Sequence, residues 1–147
     1  MTEVPDWAYC GECGMSHLHR TQTCPTFEPK VNLPFPALPW ESQVCQYPPF
    51  GPPGYSEFTP PAPYDSIRCL LWRDEMGALR GILNYYTKDI GDFEKAGNAN
   101  IWVDPKCQGK GIGTALAREG MKRYGFDLTK QRFTPAGVRL AKKLLRG

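Results

Sequence analysis

Long apolar runs are missing from this 147-residue chain, and none approaches the roughly 20 residues needed to span a bilayer. The N-terminus, MTEVPDWAYC, has neither a basic n-region nor an apolar h-region, so the chain reads as a cytoplasmic protein with no membrane partner. Histidine is scarce: His17 and His19 are the two present, and none lies downstream to activate Cys107 as a nucleophile. Acidic residues nearly vanish towards the C-terminus. Residues 106–147 carry eleven basic side chains against Glu119 and Asp127, whereas residues 1–65 carry seven acidic ones against Arg20 and Lys30. That imbalance predicts an anionic partner for the basic end: a phosphorylated cofactor, a nucleic acid or an acidic protein surface.

Cysteine and proline are plentiful by contrast. Cys10, Cys13 and Cys24 cluster in residues 1–26, and in a chain without an export signal the six cysteines are better read as thiols or metal ligands than as a disulfide framework. The run CGECGMSHLHRTQTC resembles a zinc knuckle, with glycine after each of the first two cysteines. The fourth ligand is His17 or His19. His19 makes the first gap one residue longer than usual and His17 one shorter, and the expected set is Cys10, Cys13, His19 and Cys24. Such a closed site is structural. With Arg20 its only basic neighbour in the first 26 residues, it suits a folding staple or a protein-docking module better than a grip on nucleic acid.

Twelve of the fifteen prolines fall within residues 25–64. Proline removes donors and fixes φ, so this stretch is expected to hold neither a helix nor a central strand. Phe35, Trp40, Tyr47, Phe50, Tyr55, Phe58 and Tyr64 nonetheless supply aromatic surface that disordered segments lack. Residues 27–65 are therefore expected as an extended arm packed along a main domain.

From Ser66 the pattern changes. Ile67 to Trp72 reads as a strand, Asp74 to Gly77 as a turn, Leu79 to Thr87 as the antiparallel partner with a bulge at Gly81, and Ala99 to Val103 as a third strand. A helix fits Gly113 to Tyr124, with Ile112, Leu116 and Tyr124 on one face, Ala115 beside them and Gly125 as C-cap. A short strand is expected within Asp127 to Phe133. The last helix fits Pro135 to Leu145, N-capped by Thr134, with Val138, Ala141, Leu144 and Leu145 as its apolar stripe.

The chemistry concentrates in Val103-Asp104-Pro105-Lys106-Cys107-Gln108-Gly109-Lys110-Gly111-Ile112-Gly113-Thr114. A strand delivers the chain to a glycine-rich loop from which a helix starts, so unpaired amides converge at the positive end of a helix dipole and form an anion cradle. The nucleotide P-loop needs Lys-Ser or Lys-Thr after its last glycine, and the dinucleotide fingerprint needs G-x-G-x-x-G; neither fits. The spacing of Gln108, Gly111 and Gly113, after Val103-x-Pro105, resembles the Q/R-x-x-G-x-G/A signature of the GNAT (GCN5-related N-acetyltransferase) superfamily. The ending QRFTPAGVRLAKKLL resembles small GNAT-like proteins of actinobacteria and their phages.

The resemblance covers residues 66–147 and implies an acyl-CoA site. Gln108, Gly109, Lys110, Gly111, Ile112, Gly113 and Thr114 would hold the pyrophosphate, and the Val103 amide would donate to the thioester carbonyl. It implies transfer of an acetyl group from acetyl-CoA to a primary amine on a protein, a metabolite or a modified nucleic acid. Asp104 is the candidate base, against an equal reading as a strand-end cap, and Tyr124 is a candidate acid beside Tyr85 and Tyr86. The family's first strand, first two helices and final strand pair have no visible counterpart.

The expected fold is thus α+β, a GNAT-like core with a short, mostly antiparallel sheet and two helices in residues 66–147. A zinc-binding module (1–26) and a proline-rich arm (27–65) precede it. The competing readings are a zinc-containing binding protein that keeps a CoA site without turnover, and a nucleic-acid-binding or nucleic-acid-modifying protein using the basic C-terminal region.

Overall fold

In a computed structural model, residues 28–32, 39–91 and 94–145 are described. Their centre is an antiparallel sheet of four strands in the order β1 (Gly54–Phe58), β2 (Ile67–Arg73), β3 (Leu79–Tyr86) and β4 (Ala99–Val103). With three helices, α1 (Trp40–Val44), α2 (Ile112–Tyr124) and α3 (Pro135–Leu145), the architecture is α+β. No helix among the described residues is long and apolar enough to cross a membrane.

Period-two alternation gives the sheet two apolar faces. Ile67, Cys69, Leu71, Ile82 and Tyr86 turn to one side, where Tyr47 and the short α1 cover them through Trp40 and Val44. Leu70 and Leu83 turn to the other, where they meet Leu116 of α2 and Phe126. Leu70, Leu83 and Leu116 have no exposed surface. Helix α2 can settle this close because Gly81 and Gly120 carry no Cβ: one built at Gly81 would meet Leu116 Cδ1 at 2.5 Å, and one at Gly120 would meet Leu83 Cδ1 at 2.5 Å. Within α2, Ala117 and Gly120 are buried with Leu116 and Ala115 is exposed, which corrects the placing of Ala115 beside the buried face.

Two elements were not legible in the proline-rich stretch. Helix α1 corrects the expectation that no helix forms there: Pro39 occupies its N-cap, where a missing N–H costs nothing, and the next proline is Pro48. Strand β1 lies between Pro53 and Pro60 and pairs in register with β2, Gly54 opposite Arg73 through Phe58 opposite Cys69. It is an edge strand, where flanking proline is tolerated.

The bulge in β3 falls one residue from its expected place. Trp72 pairs with Gly81 and Arg73 with Leu79, so Arg80 is the extra residue. The shift turns Leu79 to the α1 side and sends the Arg80 guanidinium to Asp74 and Asp104.

After α2, Gly125 adopts the left-handed conformation (φ 70°) and its N–H closes on Met121 O, the C-cap expected. The strand expected within Asp127 to Phe133 is replaced by a 3₁₀ turn, Leu128–Lys130. The Asp127 carboxylate nucleates it by accepting from the Thr129 amide (2.9 Å) and hydroxyl (2.7 Å). Asn32 then clasps Phe133 through its backbone N–H, which donates to Phe133 O at 3.1 Å, and through its side-chain oxygen, which accepts from the Phe133 amide. Helix α3 follows, with Thr134 Oγ1 accepting from Gly137 N (3.1 Å) as N-cap. Its Ala141, Val138, Leu144 and Leu145 pack on Leu128 and Phe133, as the stripe predicts.

Candidate functional site

Strand β4 lies at an edge of the sheet, and hydrogen-bond alternation decides what that edge offers. Asp104 N–H donates to Arg80 O at 2.9 Å, and Asn98 O accepts from Tyr86 N at 3.0 Å, so the even-numbered residues face β3. Ala99, Ile101 and Val103 therefore turn their amides the other way. Gln131 occupies the start of that bare edge, its Oε1 accepting from Ala99 N at 2.8 Å while its Nε2 donates to Gly97 O and Asp127 O. The stretch from Ile101 to Val103 is left facing a cleft of about 580 Å³ bounded by β4, the glycine loop and α3. Ile101 shares the direction expected of Val103, which only the register of the sheet reveals.

The glycine loop forms one wall. Gly109 and Gly111 have φ of 83° and 84°, a conformation that strains any L side chain, and a Cβ built on either would meet open space. Gly111 is the N-cap of α2, and no side chain caps the helix, so the first-turn amides of this 13-residue helix remain for an anion. Gly113 serves packing instead, since a Cβ there would press Val103 Cγ2 at 3.3 Å and Leu140 Cδ1 at 3.6 Å. Val103, Gln108, Gly109, Gly111, Ile112, Gly113 and Thr114 all line the cleft; Lys110 is exposed outside that lining.

Three cations that the sequence reading did not single out, Arg132, Arg139 and Lys143, also border the cleft. Two of them flank Leu140 on α3. Their helical spacing was legible, but which face of α3 would meet the glycine loop was not. Glu94 is the one carboxylate among the described lining residues, and its charge acts on the buried Tyr86. Its Oε1 accepts from Asn100 Nδ2 at 3.1 Å.

Asp104 is buried beneath the loop. Its Oδ1 accepts from the Lys106 amide at 3.0 Å, its Oδ2 from Arg80 Nη1 at 2.7 Å, and its backbone oxygen from Cys107 N at 2.8 Å. Burial favours its neutral acid, but the Lys106 amide and the Arg80 guanidinium outweigh burial and hold the carboxyl below the usual carboxylate range. Both oxygens are thus engaged in fixing the turn from β4 into the loop.

Tyr124 lies away from the cleft lining. It stacks on Tyr85 at 5.5 Å, and its hydroxyl crosses towards β1, donating to Glu57 Oε1 at 2.8 Å. Burial and then that carboxylate push its phenol up. Cys107 lines the cleft as a free thiol. Cys10, Cys13, His19 and Cys24, and the alternative His17, lie outside the described residues. Among the described residues no group of three His, Cys, Asp or Glu is placed to hold a metal.

No curated protein and no solved structure matches the chain. The model of the Acetyltransferase (GNAT) family matches residues 35–134. That is well over half of the sequence, beginning inside the stretch expected as an arm and taking in α1, the four strands, the glycine loop and α2. With the loop, the bare β4 edge and the cleft between them already in place, this chain belongs to the GNAT acetyltransferase family.

Proposed function

We propose that this protein is an N-acetyltransferase that moves an acetyl group from acetyl-CoA to a primary amine. The observation that carries the reading is the uncapped N-terminus of α2 behind two left-handed glycines, opening on the same cleft as the unpaired β4 edge. Amides from Gln108 to Thr114 would hold the pyrophosphate, and Arg139 and Lys143 would balance its charge. The amides of Ile101 and Val103 point where a thioester carbonyl can lie along β4, and would stabilise the oxyanion that forms under attack. Asp104, expected as a base, is assigned the task of aiming the loop. Calorimetry of acetyl-CoA binding to the wild type and to Gly111→Asp tests this assignment, because the aspartate would put a strained side chain and a negative charge into the cradle. Equal binding to both would refute it.

A second reading, a nucleic-acid partner, draws on Arg118 and Lys122 on α2 and Lys142 on α3, which are exposed outside the cleft. Salt-dependent retention on nucleic acid would support it, and salt-independent flow-through would remove it. The zinc site proposed at Cys10, Cys13, His19 and Cys24 rests on spacing, and elemental analysis returning no zinc would remove it.

A further inference from the structure

Gln131 does with a side chain what a neighbouring parallel strand would do with its backbone. Its Oε1 accepts from Ala99 N at 2.8 Å and its Nε2 donates to Gly97 O at 3.0 Å, so one amide pairs with the two backbone groups that flank Asn98. A residue of a parallel ladder donates to the carbonyl before its partner and accepts from the amide after it, and the Gln131 side chain reproduces that pattern. The other Nε2 proton goes to Asp127 O at 2.9 Å, so both protons of the amide are used.

Resting on the acetyltransferase reading, we propose that Gln131 sets the length of the acyl group. It closes the β4 edge beyond the thioester and restricts the cofactor to short chains such as acetyl.

Chain order fixes the direction in which the cofactor lies. The glycine loop and the uncapped α2 amides follow Val103, so the pyrophosphate sits beyond the C-terminal end of β4. An arm that leaves it and runs along the bare edge meets Val103 first and Ile101 next. The acyl group, the last part of the molecule, then points to Ala99. There the edge is already occupied, because the Ala99 amide belongs to Gln131. Alternation leaves the amides of Ile101 and Val103 turned to the cleft, and Gln131, which also lines it, stands where that open stretch stops.

Gln131 is also built to stay in place. It is buried, its backbone N–H donates to Leu128 O at 3.4 Å, and its carbonyl accepts from Asn32 Nδ2 at 3.5 Å. It caps a 3₁₀ turn whose Leu128 is packed with Phe133 and Ala141. An exposed glutamine yields to a ligand by changing rotamer. This one would have to abandon Ala99 N, Gly97 O and Asp127 O together, and stripping partners from backbone groups is costly.

Acetyl-CoA and hexanoyl-CoA, which differ only beyond the thioester carbonyl, test this by calorimetry on the full chain, with melting temperatures taken on the same preparations. The wild type should bind acetyl-CoA at least about 10-fold more tightly than hexanoyl-CoA, the scale on which a closed pocket rejects added methylenes. Gln131→Ala opens the end of the edge and should shrink that preference by about 10-fold. Gln131→Met loses the same hydrogen bonds but keeps the length of the side chain, and should keep the preference. A wild type that binds both equally overturns the proposal without any variant. So does a Gln131→Ala protein that binds acetyl-CoA and rejects hexanoyl-CoA as the wild type does. A Gln131→Met protein that loses the preference along with Gln131→Ala overturns it too, since the lost hydrogen bonds and not the opened space would then be the cause. Each of these results leaves the cofactor reading standing. A wild type that binds neither thioester overturns the acetyltransferase reading and this one together.

Discussion

The two edges of the sheet are treated in opposite ways. Strand β1 is short, closed at both ends by proline and fenced by charge: Glu57 meets Arg123 at 3.7 Å and the Tyr124 hydroxyl at 2.8 Å, and Arg123 is held by Glu119 at 2.7 Å. These are the devices by which an edge avoids pairing with other chains. Strand β4 has no such fence at Ile101 and Val103, where a glycine loop and a cleft take its place. An unpaired edge is a liability unless something occupies it. The contrast supports the proposal that the β4 edge is kept bare for a ligand, while the β1 edge is a boundary.

The largest effect should come from breaking the β4 side at its loop. Gly111→Asp is expected to weaken acetyl-CoA binding by at least about 100-fold, roughly 3 kcal/mol, in calorimetry, with the β1 side untouched.

Removing the support common to both edges comes next. Leu116 has no exposed surface and ties α2 to Leu70 and Leu83. Leu116→Ala should cost about 2–5 kcal/mol in denaturant unfolding, by lost burial and the cavity left behind.

Asp104→Asn should be milder. At neutral pH it removes a charge-assisted bond to Arg80 and should lower the melting temperature by roughly 4–8 °C. The folded-state pKa of Asp104 is depressed, so its stabilisation is present above the ordinary value of 3.8 and is lost as pH falls through the lower folded value. The gap between wild type and variant should therefore close in melts taken below pH 3.8. A gap that persists unchanged at low pH would show that the charge is not what matters.

The smallest effect belongs to the β1 fence. Glu57→Gln removes a half-exposed pair and should change stability by less than about 1 kcal/mol while leaving acetyl-CoA affinity alone.

Much of the core was legible because its signals are local. Alternation marked β2, β3 and β4, Gly125 marked the end of α2, and Thr134-Pro135 marked the start of α3. The glycine loop was legible for the same reason: spacing along one short segment fixes which amides converge. What escaped depends on long-range pairing. Strand β1 is five residues among prolines, and only β2 beside it makes it a strand. The bulge at Arg80 follows from register across β2, and through it Asp104 acquires its partner. Gln131 and Glu94 were hidden because each reaches β4 from a loop, and the cleft-facing side of α3 because no local pattern specifies how that helix docks.

The central claim, that the β4 edge is held open for acetyl-CoA, is tested most directly by amide hydrogen exchange with and without that ligand. Ile101, Val103 and the amides from Gly109 to Thr114 should become protected when acetyl-CoA is added, while the amides of β1 exchange as before. Binding of acetyl-CoA that leaves Ile101 and Val103 unprotected, or that protects both edges alike, would contradict the account.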